Sequence, residues 1–192
     1  MKYIEKIQEK IYLSRLNSGD TEVFVEIYHN FSDRIYRYIY YRIMHKQDSE
    51  DLTSEVFMKT WQYARNGEKN IKHLNAFLFQ IARNTIADYY RRSSRTRDVQ
   101  ALDSFQNIPD EKQKSLFAEI ENGAGESEIE KALLRLEDDQ KERIIIHYIE
   151  GLPCPEISKI VNKSNGAVRI AIHRAMKELK KNLNLKEENN EK

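Results

Sequence analysis

The clearest candidates for binding chemistry lie near the carboxy terminus, on a segment whose spacing predicts a helix. If the apolar residues between Val168 and Leu179 face a core, the 100° step of a helix places Arg169, His173 and Lys177 in one exposed row. Such a helix fits the major groove of DNA, where arginine pairs with guanine, asparagine pairs with adenine, and isoleucine contacts a thymine methyl group. The candidate contacts are Lys163, Ser164, Asn165, Arg169, Ile170, His173, Arg174 and Lys177.

The residues around this helix favour the same interpretation. Apolar spacing between Ile157 and Val161 predicts a preceding helix, and residues 162–164 predict a short turn in which Ser164 caps the next helix. This is the spacing of a helix-turn-helix unit. Residues 154–181 hold seven basic and two acidic side chains, which suits a phosphate-binding surface. The alternative is an ordinary helical hairpin whose charged face is only solvated.

A second basic segment lies in the first half of the chain. Residues 83–97 hold five basic side chains and one acidic side chain, and Lys69, Lys72 and His73 precede them in a polar loop before Phe77. Cations interleaved with aromatic rings suit single-stranded DNA, because bases stack on the rings while cations follow the backbone. The alternative is that the aromatic residues of this half form the core of a helical bundle. The basic residues of the segment are Arg83, Arg91, Arg92, Arg95 and Arg97.

An acidic window precedes this basic segment. Residues 47–55 hold four acidic side chains and no basic one. Carboxylates at a helix start interact favourably with the helix dipole, which is enough to explain Asp48 and Asp51. Glu55, with Leu52 and Phe57, could also present a mixed acidic and apolar face to a basic protein partner. The residues alone leave both interpretations open.

Catalysis and metal binding find little support in the sequence. The five histidines are scattered, and no HExxH motif, glycine-rich phosphate loop or GxSxG motif occurs. A helical enzyme would need a pocket with a perturbed acid or base, which no residue pattern suggests. The single cysteine, Cys154, is expected to be a small packing residue near a helix start. We therefore expect a protein that is not an enzyme and that has no metal and no cofactor.

Composition favours a soluble cytoplasmic protein. The 192 residues carry 32 basic and 31 acidic side chains, so charge is dense, at 33%, but the net charge is only +1. One cysteine rules out a disulfide framework and is typical of a reducing compartment. No run of about 18 apolar residues occurs, and charges interrupt the apolar residues near the amino terminus. Neither membrane insertion nor a signal peptide is expected.

Helical apolar spacing extends over most of the chain, so we expect an all-α fold of two small helical domains joined by a flexible linker. The spacing predicts helices over about residues 20–44, 48–66 and 74–92. Asp48 is expected to cap the second of these helices. The periodicity fails from about residue 93 to residue 125, which predicts a linker.

Further helices are expected after the linker. Ser127 with Glu130, and Asp139 with Glu142, have the spacing of capping boxes, and Gly151 is expected to end the second of these helices. The predicted parts of the chain are residues 1–93, a linker over 94–127, a helix-turn-helix domain over 128–183 and a charged tail over 184–192.

Three stretches, in this order, resemble bacterial sigma factors of the extracytoplasmic-function type, the minimal branch of the sigma-70 family. They are DSEDLTSEVFMKTW, FLFQIARNTIADYYRR and LEDDQKERIIIHYIEGLPCPEISKIVNKSNGAVRIAIHRAMKEL. The resemblance covers about residues 20–93 and 128–183. It implies a promoter-recognition subunit. The first block resembles region 2, which binds and melts the minus-ten element, and the second resembles region 4, which reads the minus-thirty-five element.

The resemblance also implies roles for particular residues. The acidic window is similar to the region 2 surface that docks on the clamp of RNA polymerase, with Asp48, Asp51, Leu52, Glu55 and Phe57. The loop over residues 66–73 is similar to the loop that captures a base flipped out of the duplex, and the helix after it carries upstream minus-ten contacts. The implied minus-ten residues are Asn66, Lys69, Lys72, His73, Arg83, Asn84, Asp88, Arg91 and Arg92.

The partners implied by the resemblance are core RNA polymerase, promoter DNA in duplex and single-stranded form, and an anti-sigma protein that covers both DNA-binding faces. The acidic linker resembles the segment that passes through the polymerase cleft. The sequence departs from the family pattern at Ser54, where Gln is common, and at Pro153, where Ser usually caps a helix. It also departs at residues 169–171, where Arg-Ile-Ala replaces Lys-Ser-Arg, so no minus-thirty-five sequence can be transferred.

A competing hypothesis is an autonomous helix-turn-helix regulator whose amino-terminal bundle dimerises or senses a ligand. It predicts tight binding to a two-fold symmetric DNA site without polymerase. The sigma-factor hypothesis predicts that the free protein binds promoters poorly. Its two modest DNA contacts are joined through a linker and a shared polymerase, so neither contact needs to be tight on its own.

Overall fold

The structure, a computed structural model, describes residues 2–18, 20, 22–66, 71–100 and 128–184, with side chains for 7–18, 20, 22–65, 71–92 and 128–183. The amino-terminal half consists of α1 (Lys2–Asn17), α2 (Glu22–Ile43), α3 (Lys46–Asn66) and α4 (Leu74–Gln100). The carboxy-terminal half consists of α5 (Glu128–Leu134), α6 (Asp138–Ile144), α7 (Cys154–Val161) and α8 (Asn165–Asn184), with a π-helical turn, Ile145–Ile149, continuing α6. These ranges contain no strand, which confirms the all-α fold class, and none of their helices is long and apolar enough to cross a membrane.

The amino-terminal half is a bundle in which one apolar stripe of each long helix faces the others. On α2 the stripe advances in steps of three and four residues, and its members are at most 8% exposed. This spacing keeps the apolar side chains on one side of a helix, and their burial stabilises helices that would be marginal alone. The stripe consists of Val23, Ile27, Phe31, Ile35, Tyr38 and Ile39.

The start of α3 differs from the prediction. The helix begins at Lys46, two residues before Asp48, which therefore lies in the first turn and not at the cap position. The backbone N–H of Asp48 donates to Nδ1 of His45 at 3.2 Å. The Asp48 carboxylate accepts a hydrogen bond from the Tyr89 hydroxyl. Asp48 thus links α3 to α4, which a local capping rule could not predict.

The start of α6 also differs. Glu137 occupies the cap position without a side-chain hydrogen bond, so Asp139 and Glu142 do not form the predicted capping box. Glu142 is 1% exposed, and its carboxylate binds residues of α2 and α4 instead. The other predicted capping box includes Ser127, which lies outside the described residues. Gly151 follows the π-helical turn with a φ of +69°, in agreement with its predicted role as a helix stop.

Helix α4 is longer than predicted. Its backbone continues to Gln100, whereas the spacing predicted an end near Arg92. No glycine or proline occurs between these two residues, so nothing in the sequence interrupts the helix when its apolar stripe ends. The predicted domain boundary at residue 93 falls inside this helix, and the rest of the predicted linker lies outside the described residues.

The two halves pack against each other through a shared hydrophobic core. Ile145 and Ile146 of the π-helical turn and Ile157 of α7 belong to the same buried cluster as the stripes of α2 and α4. A second cluster belongs mainly to the carboxy-terminal half and contains Leu133, Ile144, Ala175 and Leu179. We call this packing of the two halves the closed arrangement.

A polar junction accompanies this apolar contact. The Glu142 side chain is 2% exposed, and its Oε1 accepts a hydrogen bond from the Tyr38 hydroxyl at 2.7 Å. The same oxygen lies 3.1 Å from Arg83 Nε and 3.2 Å from Arg42 Nη1. Burial of Tyr38 raises the pKa of its phenol, so the hydroxyl stays a donor.

Glu150 forms the second part of the polar junction, and its side chain is fully buried. Arg37 binds it with two nitrogens, Nε at 3.0 Å from Oε1 and Nη2 at 3.2 Å from Oε2. Arg34 Nε lies 3.3 Å from Oε2, and Arg34 Nη2 donates to the backbone carbonyl at 3.1 Å. Fork-shaped pairing of this kind satisfies both carboxylate oxygens, which a buried charge requires.

Loss of the Glu142 carboxylate is expected to be costly. Glu142→Ala removes the carboxylate that lies 3.2 Å from Arg42 Nη1, and the Arg42 side chain is only 10% exposed. Removing one partner of a buried ion pair typically lowers the free energy of unfolding by about 3–5 kcal/mol. Urea unfolding checks this value, with Glu178→Ala as the control, since its ion pair with Lys181 is exposed and should change stability by less than about 1 kcal/mol. Equal effects of the two variants would contradict the prediction.

Candidate nucleic-acid interface

Helices α7 and α8 are joined by a short turn with its own hydrogen bonds. Asn162 ends α7 in the left-handed conformation, with a φ of 51°, and the Lys163 N–H donates to the Ser158 carbonyl at 3.1 Å. The Ser164 hydroxyl accepts a hydrogen bond from the Ala167 N–H at 3.2 Å, as expected of a cap residue. Val168 is buried against the preceding helix. The predicted helix-turn-helix geometry is therefore present.

The outer face of α8 is open to solvent along its length. Val168, Ile172, Ala175 and Leu179 point inward, as the spacing predicted. Ile170 is 57% exposed, so its side chain can reach a thymine methyl group from this face. All eight sequence candidates are exposed, namely Lys163, Ser164, Asn165, Arg169, Ile170, His173, Arg174 and Lys177.

The candidate minus-ten face of α4 is a partly paired row of charges. Asn84 is exposed, whereas Arg83 is half-buried beside Glu142. Asp88 is bound by Arg91, and that hydrogen bond holds the pKa of Asp88 below its ordinary value. Asp88 also lies 3.6 Å from Lys59 Nζ, so α3 contributes a cation to this face.

The candidate loop before α4 is described only in part. Lys69 and the side chain of Asn66 lie outside the described residues, whereas Lys72 and His73 are exposed. His73 Nε2 lies 2.9 Å from Lys159 Nζ of α7. The end of the loop therefore contacts the carboxy-terminal half in the closed arrangement.

The candidate docking residues separate into two groups. Asp51 is exposed, and Asp48 and Glu55, in the first and third turns of α3, are half-buried. Leu52 and Phe57 are 5% and 2% exposed and belong to the bundle core, so the predicted apolar part of the docking face is wrong. Leu52 is buried because it lies one turn before Val56 on the inward stripe of α3. Phe57 is buried because its ring packs edge-on against the rings of Phe24 and Tyr28.

Glu55 connects the docking face to the minus-ten face. Its carboxylate lies 2.7 Å from Lys59 Nζ and 3.1 Å from Arg92 Nη2. Partial burial raises the pKa of Glu55, but the hydrogen bonds from Lys59 and Arg92 outweigh that effect and lower it. A candidate polymerase contact and a candidate DNA contact thus bind each other directly.

The polar junction contains residues that the sequence analysis missed. They are Arg34, Arg37, Arg42, Glu142 and Glu150, whose partners lie about one hundred residues away in the chain. One signal was available, since Arg42 continues the apolar stripe of α2 and Glu150 closes a strongly apolar run, IIIHYIE. A charged residue on a buried stripe indicates a buried partner, although it does not identify the partner. Among the described residues, no cluster of His, Cys, Asp or Glu side chains could hold a metal ion.

Two family models match the chain. One, Sigma-70 region 2, matches residues 27–96, and the other, Sigma-70 region 4, matches residues 126–179. The first match includes most of α2, all of α3 and most of α4, and the second includes α7 and most of α8. The amino-terminal half, α1 to α4, is therefore called region 2, and the carboxy-terminal half, α5 to α8, is called region 4.

Several sigma factors are similar in sequence over most of the chain. The ECF RNA polymerase sigma factor ShbA of Streptomyces griseus is 30% identical over 68% of this chain and 69% of its own length. SigX of Bacillus subtilis is 28% identical over 85% of both chains. BldN of Streptomyces coelicolor is 29% identical over 87% of this chain. The matched part covers 62% of the length of BldN. The chain belongs to the extracytoplasmic-function sigma factors of the sigma-70 family, which bind RNA polymerase and direct initiation at promoters.

Two solved structures share the fold. CnrH, in complex with the cytosolic domain of CnrY, has a TM-score of 0.67 and 19% identity, and the match covers 92% of this chain and 97% of CnrH. The sigma factor RpoE of Bartonella quintana, in complex with the anti-sigma factor NepR, has a TM-score of 0.60 and 22% identity, over 84% of this chain and 96% of RpoE. At these identities the likeness concerns the fold alone.

Proposed function

We propose that this sigma factor reads the minus-thirty-five element with the exposed row of α8 and separates the strands of the minus-ten element with the basic face of α4 and the loop before it. The observation that carries the proposal is the outer face of α8, where all eight candidate contacts are exposed on a capped helix-turn-helix unit. Phosphate contacts from lysines orient such a helix, and base contacts from its arginine and asparagine residues supply specificity.

Asp51 and Glu55 are proposed to dock the factor on the clamp of RNA polymerase. The support is an acidic surface at the start of α3, which suits a basic protein partner. The proposed domains are residues 1–93 and 128–183, with α4 extending beyond the first to Gln100 and the acidic segment between the domains passing through the polymerase cleft. Polymerase supplies the chemistry of RNA synthesis, so the sigma factor needs no catalytic residue, and it acts in the cytoplasm, where polymerase and promoter DNA are.

Promoter geometry requires the two halves to separate. The two elements lie about 25 base pairs apart, which is about 85 Å along B-DNA at roughly 3.4 Å per base pair. Region 2 and region 4 share a core in the closed arrangement, so they cannot reach both elements at once. Opening must break the polar junction and expose the apolar contact, and docking on polymerase supplies the compensating free energy.

An anti-sigma protein is the proposed regulatory partner. The solved relatives CnrH and RpoE are each bound to a partner, and the partner of RpoE is an anti-sigma factor. A protein that stabilises the closed arrangement would keep the factor inactive by population shift, because only the open form reaches both promoter elements.

Run-off transcription with core polymerase tests the proposed function. The sigma-factor assignment predicts initiation from specific genomic promoters only when polymerase and this chain are both present. The autonomous-regulator hypothesis predicts tight binding of the chain alone to a symmetric site. Failure to direct initiation from any fragment of a genomic library would refute the assignment of function.

A further inference from the structure

Three arginines of region 2 bind the buried carboxylates of region 4 in the closed arrangement. Arg34 and Arg37 bind Glu150, and Arg83 binds Glu142. We propose that these arginines form a phosphate-binding row that holds the backbone of promoter DNA after opening, and that Glu142 and Glu150 occupy the row as substitutes for phosphates before opening. The inference rests on the proposed function, which requires the halves to separate.

The three arginines are linked through two buried rings, Phe79 and Tyr38. The Arg34 guanidinium is 5.8 Å from the centre of the Phe79 ring, and Phe79 contacts the Tyr38 ring at 5.2 Å. The Tyr38 hydroxyl and Arg83 then bind the same oxygen of Glu142. Phe79 and Arg83 are one turn apart on α4, so they lie on the same side of that helix. The row therefore follows the line along which α2 and α4 contact region 4, and this line becomes accessible when region 4 separates.

The geometry of the row suits phosphate as well as carboxylate. Arg37 binds Glu150 through two parallel N–H groups, and this fork pairs in the same way with two phosphate oxygens. The side chains of Arg34, Arg37 and Arg83 are 28%, 44% and 43% exposed even with region 4 in place, so they can reach a ligand in solvent. Arg42 differs, since it is 10% exposed and stabilises the core, and it is not part of the row.

Opening removes the counter-charges of the row. Among the described residues, the partners of the Glu142 and Glu150 carboxylates all lie on α2 and α4, so separation leaves the arginines on region 2 without these anions. DNA is favoured as the replacement over an acidic protein because Arg83 belongs to the candidate minus-ten face of α4. The row thus extends a surface on which promoter DNA is already proposed to lie.

The test compares two variants that break the same ion pair from opposite sides. Glu150→Gln weakens the hold on region 4 and leaves the row intact, whereas Arg34→Gln/Arg37→Gln weakens the same hold and removes two members of the row. Both variants leave the Glu142 contacts and the shared core in place. Holoenzyme is assembled from core polymerase and each variant, and binding to a duplex promoter fragment from which the wild type initiates is measured between about 50 and 200 mM salt. Circular dichroism verifies that each variant is folded, and Arg135→Gln, an exposed arginine outside the row, is the charge-matched control.

The two interpretations of the arginines predict different salt dependences. A phosphate-binding row predicts that the double arginine variant binds more weakly and that the slope of log K against log salt decreases in magnitude by about 1.8, at about 0.9 per phosphate. Glu150→Gln and Arg135→Gln should keep the wild-type slope, and Arg34→Lys/Arg37→Lys should restore it. The contrary result is that Arg34→Gln/Arg37→Gln keeps the wild-type slope, the result also expected of Glu150→Gln. In that case the arginines serve only the closed arrangement, and the row does not exist. A wild-type holoenzyme that initiates nowhere would overturn the proposed function itself.

Discussion

Replacing Arg169 and His173 by alanine is expected to abolish most initiation from intact duplex promoters. Both side chains are exposed on the outer face of α8, and neither belongs to the core. Loss of a specific base contact typically costs about 1–3 kcal/mol, or roughly five- to 150-fold in binding for each contact. The measurement is run-off transcription with saturating core polymerase and increasing amounts of the double variant.

A template that is already melted over the minus-ten element shows whether the double variant has lost its contacts with the DNA groove or has a general defect in initiation. On such a template the double variant should retain nearly wild-type initiation, because strand separation no longer depends on the minus-thirty-five contact. Arg135→Ala controls for the loss of a positive charge from region 4, since Arg135 is exposed but is not on α8. An equal loss on intact and pre-melted templates would show that these residues do not read the groove.

The outer face of α8 was predictable because it depends only on local rules. An inward stripe with a step of 3.6 residues fixes which side chains face outward, and Ser164 marks the helix start through its own hydroxyl. The same rule should have excluded Leu52 from the docking face, because Leu52 and Val56 are one turn apart on α3. Asp51 is one 100° step from Leu52 and is exposed, so an acidic residue beside an apolar one in sequence need not share its burial.

The polar junction was not predictable from local rules. Tyr38 and Glu142 are 104 residues apart, and Arg34 and Glu150 are 116 residues apart. A short-range pattern predicted that Glu142 forms a capping box with Asp139, but the tertiary contact with Arg83 and Tyr38 determines its position. Spacing along one helix contains no information on which distant helix supplies the counter-charge, and the closed arrangement was missed for that reason.

Reversing the charge of Asp51 and Glu55 is expected to abolish co-purification with RNA polymerase. The carboxylates lie one turn apart on α3, so Asp51→Lys/Glu55→Lys changes the charge of one face by four units. A basic partner would then be repelled, and like charges placed across an interface cost several kcal/mol. Affinity capture of polymerase from a cell extract on the tagged variant, with the wild type in parallel, measures the effect.

The contacts of Glu55 require a second comparison. A lysine at this position lies beside Lys59 and Arg92, so the double variant also disturbs the network that links α3 to α4. Glu55→Gln removes the negative charge without adding a cation, and we expect it to weaken capture only in part while Asp51 is intact. Asp33→Lys reverses an exposed acid on α2 and should capture polymerase as the wild type does. Undiminished capture by Asp51→Lys/Glu55→Lys would remove both residues from the docking face and leave Glu55 with a structural role, as the anion that positions Lys59 and Arg92 beside the minus-ten face.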